Sequence, residues 1–129
     1  MTIEGPLFKI SSLDSSIKLE NCNPELVGGL LQTIFLKIGC QISLIENIDV
    51  SSGLVNGSIG TLTRVLFDSE KKPLVLLIKF EDYNGPVFVP EEPRIVPILR
   101  SERNYERDLK FIRIQFPVVL AFAMTIHKS

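Results

Sequence analysis

Turn signals recur at short intervals between Ile34 and Leu99, and they leave room for short strands and for little else. Gly39 breaks two β-rich runs, Ile34-Phe35-Leu36-Lys37 and Cys40-Gln41-Ile42-Ser43-Leu44-Ile45. Ser52-Gly53 and Asn56-Gly57 mark turns, the second a pair that supplies the positive φ angles of tight hairpins. Strands are predicted over Gly60–Phe67 and Leu74–Phe80, joined by the polar turn Asp68-Ser69-Glu70-Lys71-Lys72-Pro73. Asp82-Tyr83-Asn84-Gly85 is a further hairpin turn leading into Pro86-Val87-Phe88-Val89. Ile95–Leu99 closes the set, and Pro97 confines it to an edge or a bulge. Five or six strands within about 65 residues predict a small SH3-like β-barrel, one twisted sheet folded over to shield its own edges.

The flanks read differently. Residues 1–33 hold loops and short strands: serines surround Asp14, Asn21-Cys22-Asn23-Pro24 is a turn, and Gly28-Gly29 interrupts any helix begun at Glu25. Residues 100–110 carry Arg100, Glu102, Arg103, Glu106, Arg107, Asp108 and Lys110, which predicts a solvated loop or helical turn, with a phosphate-facing patch as the sharper alternative. Phe111–Phe116 is a strand ended by Pro117. Val118–Ser129 turns from apolar to polar, predicts a strand running into a helix, and finds no partner segment elsewhere in the chain.

Composition narrows the function. With 129 residues, 22% charged and 45% hydrophobic, the chain can bury one core and is not a disordered tail. Fourteen basic residues against fifteen acidic ones exclude nucleic-acid binding by bulk charge alone, so such a role must rest on local features. Two cysteines, Cys22 and Cys40, with a lone histidine, His127, make neither a disulfide framework nor a metal site. No apolar run is long enough to span a bilayer, and the N-terminus has no signal-peptide pattern, so the expectation is a soluble intracellular protein without a membrane partner.

Catalytic chemistry is missing as well. No Gly-x-x-x-x-Gly-Lys followed by Ser or Thr occurs to cradle a triphosphate. The glycines of 53–60 lie in a hairpin context, where turns account for them. Glu91-Glu92, a close carboxylate pair beside prolines, reads as a solvated loop, and the serines have no activating base. No catalytic residue and no cofactor are assigned to this chain.

Two stretches are distinctive together. The first runs Leu36-Lys37-Ile38-Gly39-Cys40-Gln41-Ile42-Ser43-Leu44-Ile45-Glu46-Asn47-Ile48-Asp49 and continues through Gly53–Gly60. The second is Gln115-Phe116-Pro117-Val118-Val119-Leu120-Ala121-Phe122-Ala123-Met124-Thr125-Ile126-His127-Lys128-Ser129. With Val87–Pro97 between them, over roughly residues 24–129, they resemble the C-terminal half of PIF-type (petite-integration-frequency) DNA helicases, including the Helitron transposon helicases, RecD-like members of superfamily one.

The resemblance implies a division of the chain. Residues 34–99 would form the 2B domain, an SH3-like barrel inserted in the second RecA-like motor domain. Residues 1–33 would lead in from motor domain 2A, and 100–129 would return to it as segments of an incomplete α/β fold, ending inside helicase motif V. Thr125, His127, Lys128 and Ser129 take motif V positions that face the phosphates of single-stranded DNA, with Lys128 as a point charge and the hydroxyls as donors. Lys37 and Asn56 are the barrel residues that could face DNA, against the plainer readings of a solvated lysine and a turn asparagine. Tyr83 is either a base-stacking tip or an exposed turn tyrosine.

By resemblance the parent is an ATP-dependent DNA helicase (an ATP hydrolase) that uses ATP and Mg²⁺ to unwind DNA 5′ to 3′ in repair, recombination or transposition. A eukaryotic parent would work in the nucleus or mitochondrion. This chain would contribute DNA contacts and coupling, with single-stranded DNA or a fork and the motor domains as partners, without hydrolysing ATP alone. Three departures weaken the grip: Glu46, Ile59 and Val119 stand where the family often has basic residues. The alternatives are a stand-alone SH3-like protein-interaction module and an inactive transposon relic.

Overall fold

The computed structural model describes residues 5–121. Ten strands are present among the described residues: β1 Phe8–Ser11, β2 Leu13–Asp14, β3 Thr33–Leu36, β4 Gln41–Leu44, β5 Ile59–Phe67, β6 Pro73–Lys79, β7 Ile95–Ile98, β8 Ser101–Tyr105, β9 Asp108–Gln115 and β10 Val118–Leu120. Three short 3₁₀ turns, Ile17–Leu19, Pro24–Val27 and Val50–Ser52, are the helical segments among the described residues. The fold is mainly β, and the described part of the flanks carries no α-helix of a RecA-like layer.

The largest sheet is antiparallel, in the order β10-β4-β5-β6-β7. It does not close: β7 pairs with β6 alone and β10 with β4 alone. The expected barrel is thus an open sheet. Pro97, opposite Leu77, has no N–H to donate onward, so β7 is an edge. The sheet bends instead along β5. Its register with β6 slips between Leu62 and Arg64, and the extra residue, Thr63, donates its hydroxyl to the Leu77 carbonyl at 2.8 Å. Gly60 in β5 is needed for close approach: a Cβ there would stand 2.6 Å from Ile78 and 2.9 Å from the Lys79 carbonyl oxygen.

Three expectations are corrected. The charged segment 100–110 is neither loop nor helical turn but the hairpin β8–β9, turning at Glu106-Arg107. Its charges hid it, because both of its faces are largely wet near the tip. Pro86–Val89 is irregular and not a strand. Val118–Leu120 does have a partner, for it pairs with Leu44, Ser43 and Ile42 of β4.

Two smaller sheets, β1-β3 and β2-β9-β8, carry the lead-in and the return onto the large sheet. One apolar core serves them all: Ile10, Ile34, Leu36, Phe116 and Val118 pack with Ile42, Leu62, Leu76, Ile78, Phe80 and Val96. Each such side chain removed from water contributes about 1.5–3 kcal/mol, which is what holds flanks of irregular backbone against the sheet.

Candidate nucleic-acid interface

The segment that leads toward Thr125–Ser129 is built on β9. Alternation there turns the polar residues inward, so Arg113 and Gln115 are fully buried. Both are satisfied by backbone. Arg113 donates to the Leu19 carbonyl at 2.9 Å and the Leu30 carbonyl at 3.1 Å, and its fork meets Asp14. Gln115 donates to the carbonyls of Ile10 and Leu31 and accepts from the Phe116 N–H at 2.9 Å. These two side chains supply donors to the carbonyls of Ile10, Leu19, Leu30 and Leu31 in the irregular lead-in. Sequence reasoning missed them; the signal was Arg113 and Gln115 alternating with Ile112, Ile114 and Phe116 at the end of the strand.

From β9 the chain passes Pro117 into β10 and leaves along β4, where the Ala121 N–H donates to the Gln41 carbonyl at 3.0 Å. Thr125, His127, Lys128 and Ser129 lie outside the described residues.

Lys37 and Asn56 are not brought together. Lys37 is half-buried in the turn before β4, where its carbonyl accepts from the Cys40 N–H at 3.0 Å. Asn56 lies beyond the other end of β4, exposed, with its N–H on Asn47 Oδ1 at 2.8 Å. Only Gly57 of the Asn56-Gly57 pair takes a positive φ, 97°, and Ser58 N–H closes the turn on the Val55 carbonyl at 2.9 Å. This is the turn that places glycine third, in contrast to the hairpin type with two positive angles. Tyr83 is not an exposed tip. It is buried, its hydroxyl donates to the Pro86 carbonyl at 2.5 Å, and burial, followed by the charge of Asp49, raises its pKa.

The three departures have two different settings. Glu46 is mostly enclosed and accepts from the Ser101 hydroxyl and from Arg103, clamping β8 to the segment after β4. Ile59 and Val119 both sit opposite Ser43, one on each side of β4, so they form one cross-strand row. That row is half-exposed and carries no charge.

Among the described residues no group of three His, Cys, Asp or Glu side chains could hold an ion. Of the Glu91-Glu92 pair, Glu92 faces Lys79 at 3.9 Å in the open. The Cys40 thiol is buried, which raises its pKa away from reactivity. No helix of the described residues is long and apolar enough to cross a membrane.

Comparison with known proteins agrees with the resemblance. The family described as "DNA helicase Pif1, 2B domain" matches residues 15–65. The ATP-dependent DNA helicase PIF1 of Rattus norvegicus is 35% identical over 138 residues, which takes in 98% of this chain and 18% of the rat protein. The chain thus spans less than a fifth of the length of the curated relatives it matches. Among solved structures, the Pif1 helicase from Candida albicans superposes with a TM-score of 0.62 at 25% identity, over 92% of this chain and 30% of that one. A Bacteroides Pif1 bound to ssDNA shares the fold, with a TM-score of 0.57 at 15% identity over 92% of this chain and 25% of that one. A 2B-family match, relatives aligned along nearly the whole chain and a common fold converge, and the chain belongs to the Pif1-type DNA helicases, carrying sequence of their 2B domain.

Proposed function

We propose that the chain is the DNA-contacting and coupling portion of an intracellular ATP-dependent, 5′ to 3′ DNA helicase acting in repair, recombination or transposition, in the nucleus or mitochondrion if the parent is eukaryotic. Residues 34–99 act as domain 2B, with 1–33 and 100–129 joining it to motor domain 2A. The match to the 2B family over residues 15–65, which takes in part of the lead-in and the first half of 34–99, supports the 2B assignment, and the ssDNA held by a Bacteroides Pif1 of the same fold supports the choice of ligand.

Thr125, His127, Lys128 and Ser129 are assigned to the strand's phosphates, and Lys37 and Asn56 to the barrel side of the path. ATP and Mg²⁺ belong to the parent enzyme. The described residues do not fit them, since the sequence lacks a phosphate loop and no acidic set would hold the ion, so no step on ATP is given to this chain.

The test is direct. The purified 129-residue chain is expected to bind oligothymidine weakly, with affinity falling steeply as salt rises, and to show no DNA-stimulated ATP hydrolysis. Robust DNA-stimulated hydrolysis by the chain alone would overturn the division of labour. Salt-indifferent capture of a peptide without DNA binding would favour a stand-alone interaction module.

A further inference from the structure

Several cations among the described residues face an acid. Lys79, Arg94, Arg103, Lys110 and Arg113 each have a carboxylate within 4.0 Å. One cleft gathers three cations from separate elements. It opens between β1, the start of β6 and the β7–β8 link, holds about 250 Å³, and is lined by Lys9, Lys72 and Arg100 together with Ser11, Ser12 and Leu13. No carboxylate lines it. The nearby Asp14 is engaged by both the Ser12 hydroxyl and the Arg113 fork. Lys72 Nζ meets Glu70 at 3.9 Å in an exposed pair that is worth little, and its charge also acts on Asp68, whose carboxylate accepts the Lys72 backbone N–H at 2.9 Å.

Arg100 is the informative member. Its guanidinium lies 4.6 Å above the Phe116 ring and donates to three neutral oxygens: the Ser11 carbonyl at 3.4 Å, Gln115 Oε1 at 3.2 Å and the Pro73 carbonyl at 3.4 Å. Five donors are available on such a fork, so two remain for a ligand. Burial pulls its pKa below the ordinary arginine value, with no acid in contact to offset the loss of water. Beside the cleft, Phe67 is 45% exposed, packs on Phe8 with ring centroids 5.9 Å apart, and is the register partner of Pro73 in the cleft wall.

We propose that this cleft is a phosphate-binding site for a single nucleic-acid strand, with Arg100 as the oriented fork, Lys9 and Lys72 as flanking point charges and Phe67 as a stacking surface for a base. The inference rests on the DNA-contacting reading above and adds a site to it. A lone carboxylate would occupy only the fork. Three cations from three separate elements suit a ligand whose charge repeats along its length, and the aromatic edge suits one that carries bases.

The test uses the whole chain, with oligothymidine and with inorganic phosphate as separate probes. Oligothymidine is expected to shift the backbone amides of 9–13, 71–72 and 99–101 in ¹⁵N–¹H spectra. K9Q/K72Q, which alters only exposed side chains, is expected to weaken binding roughly tenfold and to reduce the salt slope by about 1.4, or about 0.7 for each phosphate no longer neutralised. R100K keeps the charge and loses the fork, and is expected to weaken binding with the slope unchanged. Oligothymidine binding that both variants leave intact, with shifts elsewhere, would overturn the cleft while leaving the DNA-contacting function standing. Inorganic phosphate shifting the same amides at equal phosphate concentration would overturn the strand as occupant. Absence of any oligothymidine binding would overturn both.

Discussion

Arg113 and Asp14 are 99 positions apart in sequence and meet through two parallel hydrogen bonds, Nε to Oδ1 at 2.8 Å and Nη2 to Oδ2 at 2.9 Å. The pair couples β9, the strand that returns from the hairpin, to the irregular lead-in. The same guanidinium also serves the Leu19 and Leu30 carbonyls, so the lead-in is held from three directions by one side chain. A fork is required here, because a lysine offers a point charge and no paired geometry.

Arg113→Met therefore removes the side-chain donor of the Leu30 and Leu19 carbonyls and the paired donors of Asp14, leaving Leu19 with the Cys22 N–H and Asp14 with the Ser12 hydroxyl. The expected cost is about 3–5 kcal/mol, the range for removing one partner of a buried pair. Urea denaturation followed by circular dichroism measures it. R113K should recover only part of the loss, whereas a purely volumetric role would let it recover most.

Glu46 is the second such clamp, and it changes how the sequence reads. Taken as a lost basic residue, it lowers the grip on phosphate. In the fold its carboxylate holds Ser101 and Arg103, so the negative charge here fixes the β8–β9 hairpin. Glu46→Gln is expected to cost about 1 kcal/mol, since Arg103 is partly solvated, and Glu46→Lys more, because it sets two cations together. Hydrogen exchange should quicken in β8 for both variants. Unchanged exchange in β8 with E46K would show that the contact does not restrain the hairpin.

The strands from β3 to β7 were legible because their signals are local: alternation, an Asn-Gly turn and a Pro that marks an edge. Closure of the sheet was not legible, since it depends on whether β7 finds a second neighbour, and the bulge at Thr63 spends the bend elsewhere. The β8–β9 hairpin was hidden by charges on wet faces, and Tyr83 by a hydroxyl satisfied at Pro86, a contact three residues away that no periodicity announces. Arg100 was noted only as one charge of a run. Its departure from its neighbours lies in distant oxygens, on Ser11 and Pro73, which sequence order does not bring together.

Gly60 provides a test of packing. An added Cβ would meet Ile78 and Phe80 side chains at 2.6 and 2.8 Å, and also the Lys79 carbonyl, which cannot rotate away. Gly60→Ala is expected to destabilise the sheet by about 1–3 kcal/mol through overpacking, read as a lower urea midpoint. A neutral result would mean that β5 and β6 separate at no cost.

Acid should loosen two turns in a definite direction. Asp68 accepts from the N–H groups of Lys72 and Glu70, and the first of these is the main cause of its lowered pKa. Asp49 is lowered by the hydroxyls of Ser52 and then Ser51. A carboxylate whose folded pKa is below its unfolded one stabilises the fold above the unfolded value, about 3.9, and loses that contribution as pH falls through the folded value. The stability gap between the wild-type chain and Asp68→Ala should hold constant above about pH 5 and narrow below about pH 4. A gap independent of pH would mean that the turn is held by backbone alone.

The row Ile59, Ser43, Val119 offers the functional counterpart. It crosses three adjacent strands on a half-exposed face, so two arginines introduced there flank Ser43 without entering the core. I59R/V119R is expected to tighten oligothymidine binding and to steepen its salt slope by about 1.4, two newly neutralised phosphates at about 0.7 each on a single strand. The two sites must act together for this, because each lies opposite the same serine and one bound strand can reach both. If each single variant steepens the slope and the pair adds nothing further, one bound strand does not reach both sites, and the row does not lie along its path. If neither changes it, the 2B face is remote from DNA, and the grip lies with the residues beyond Ala121 and the cleft at Arg100.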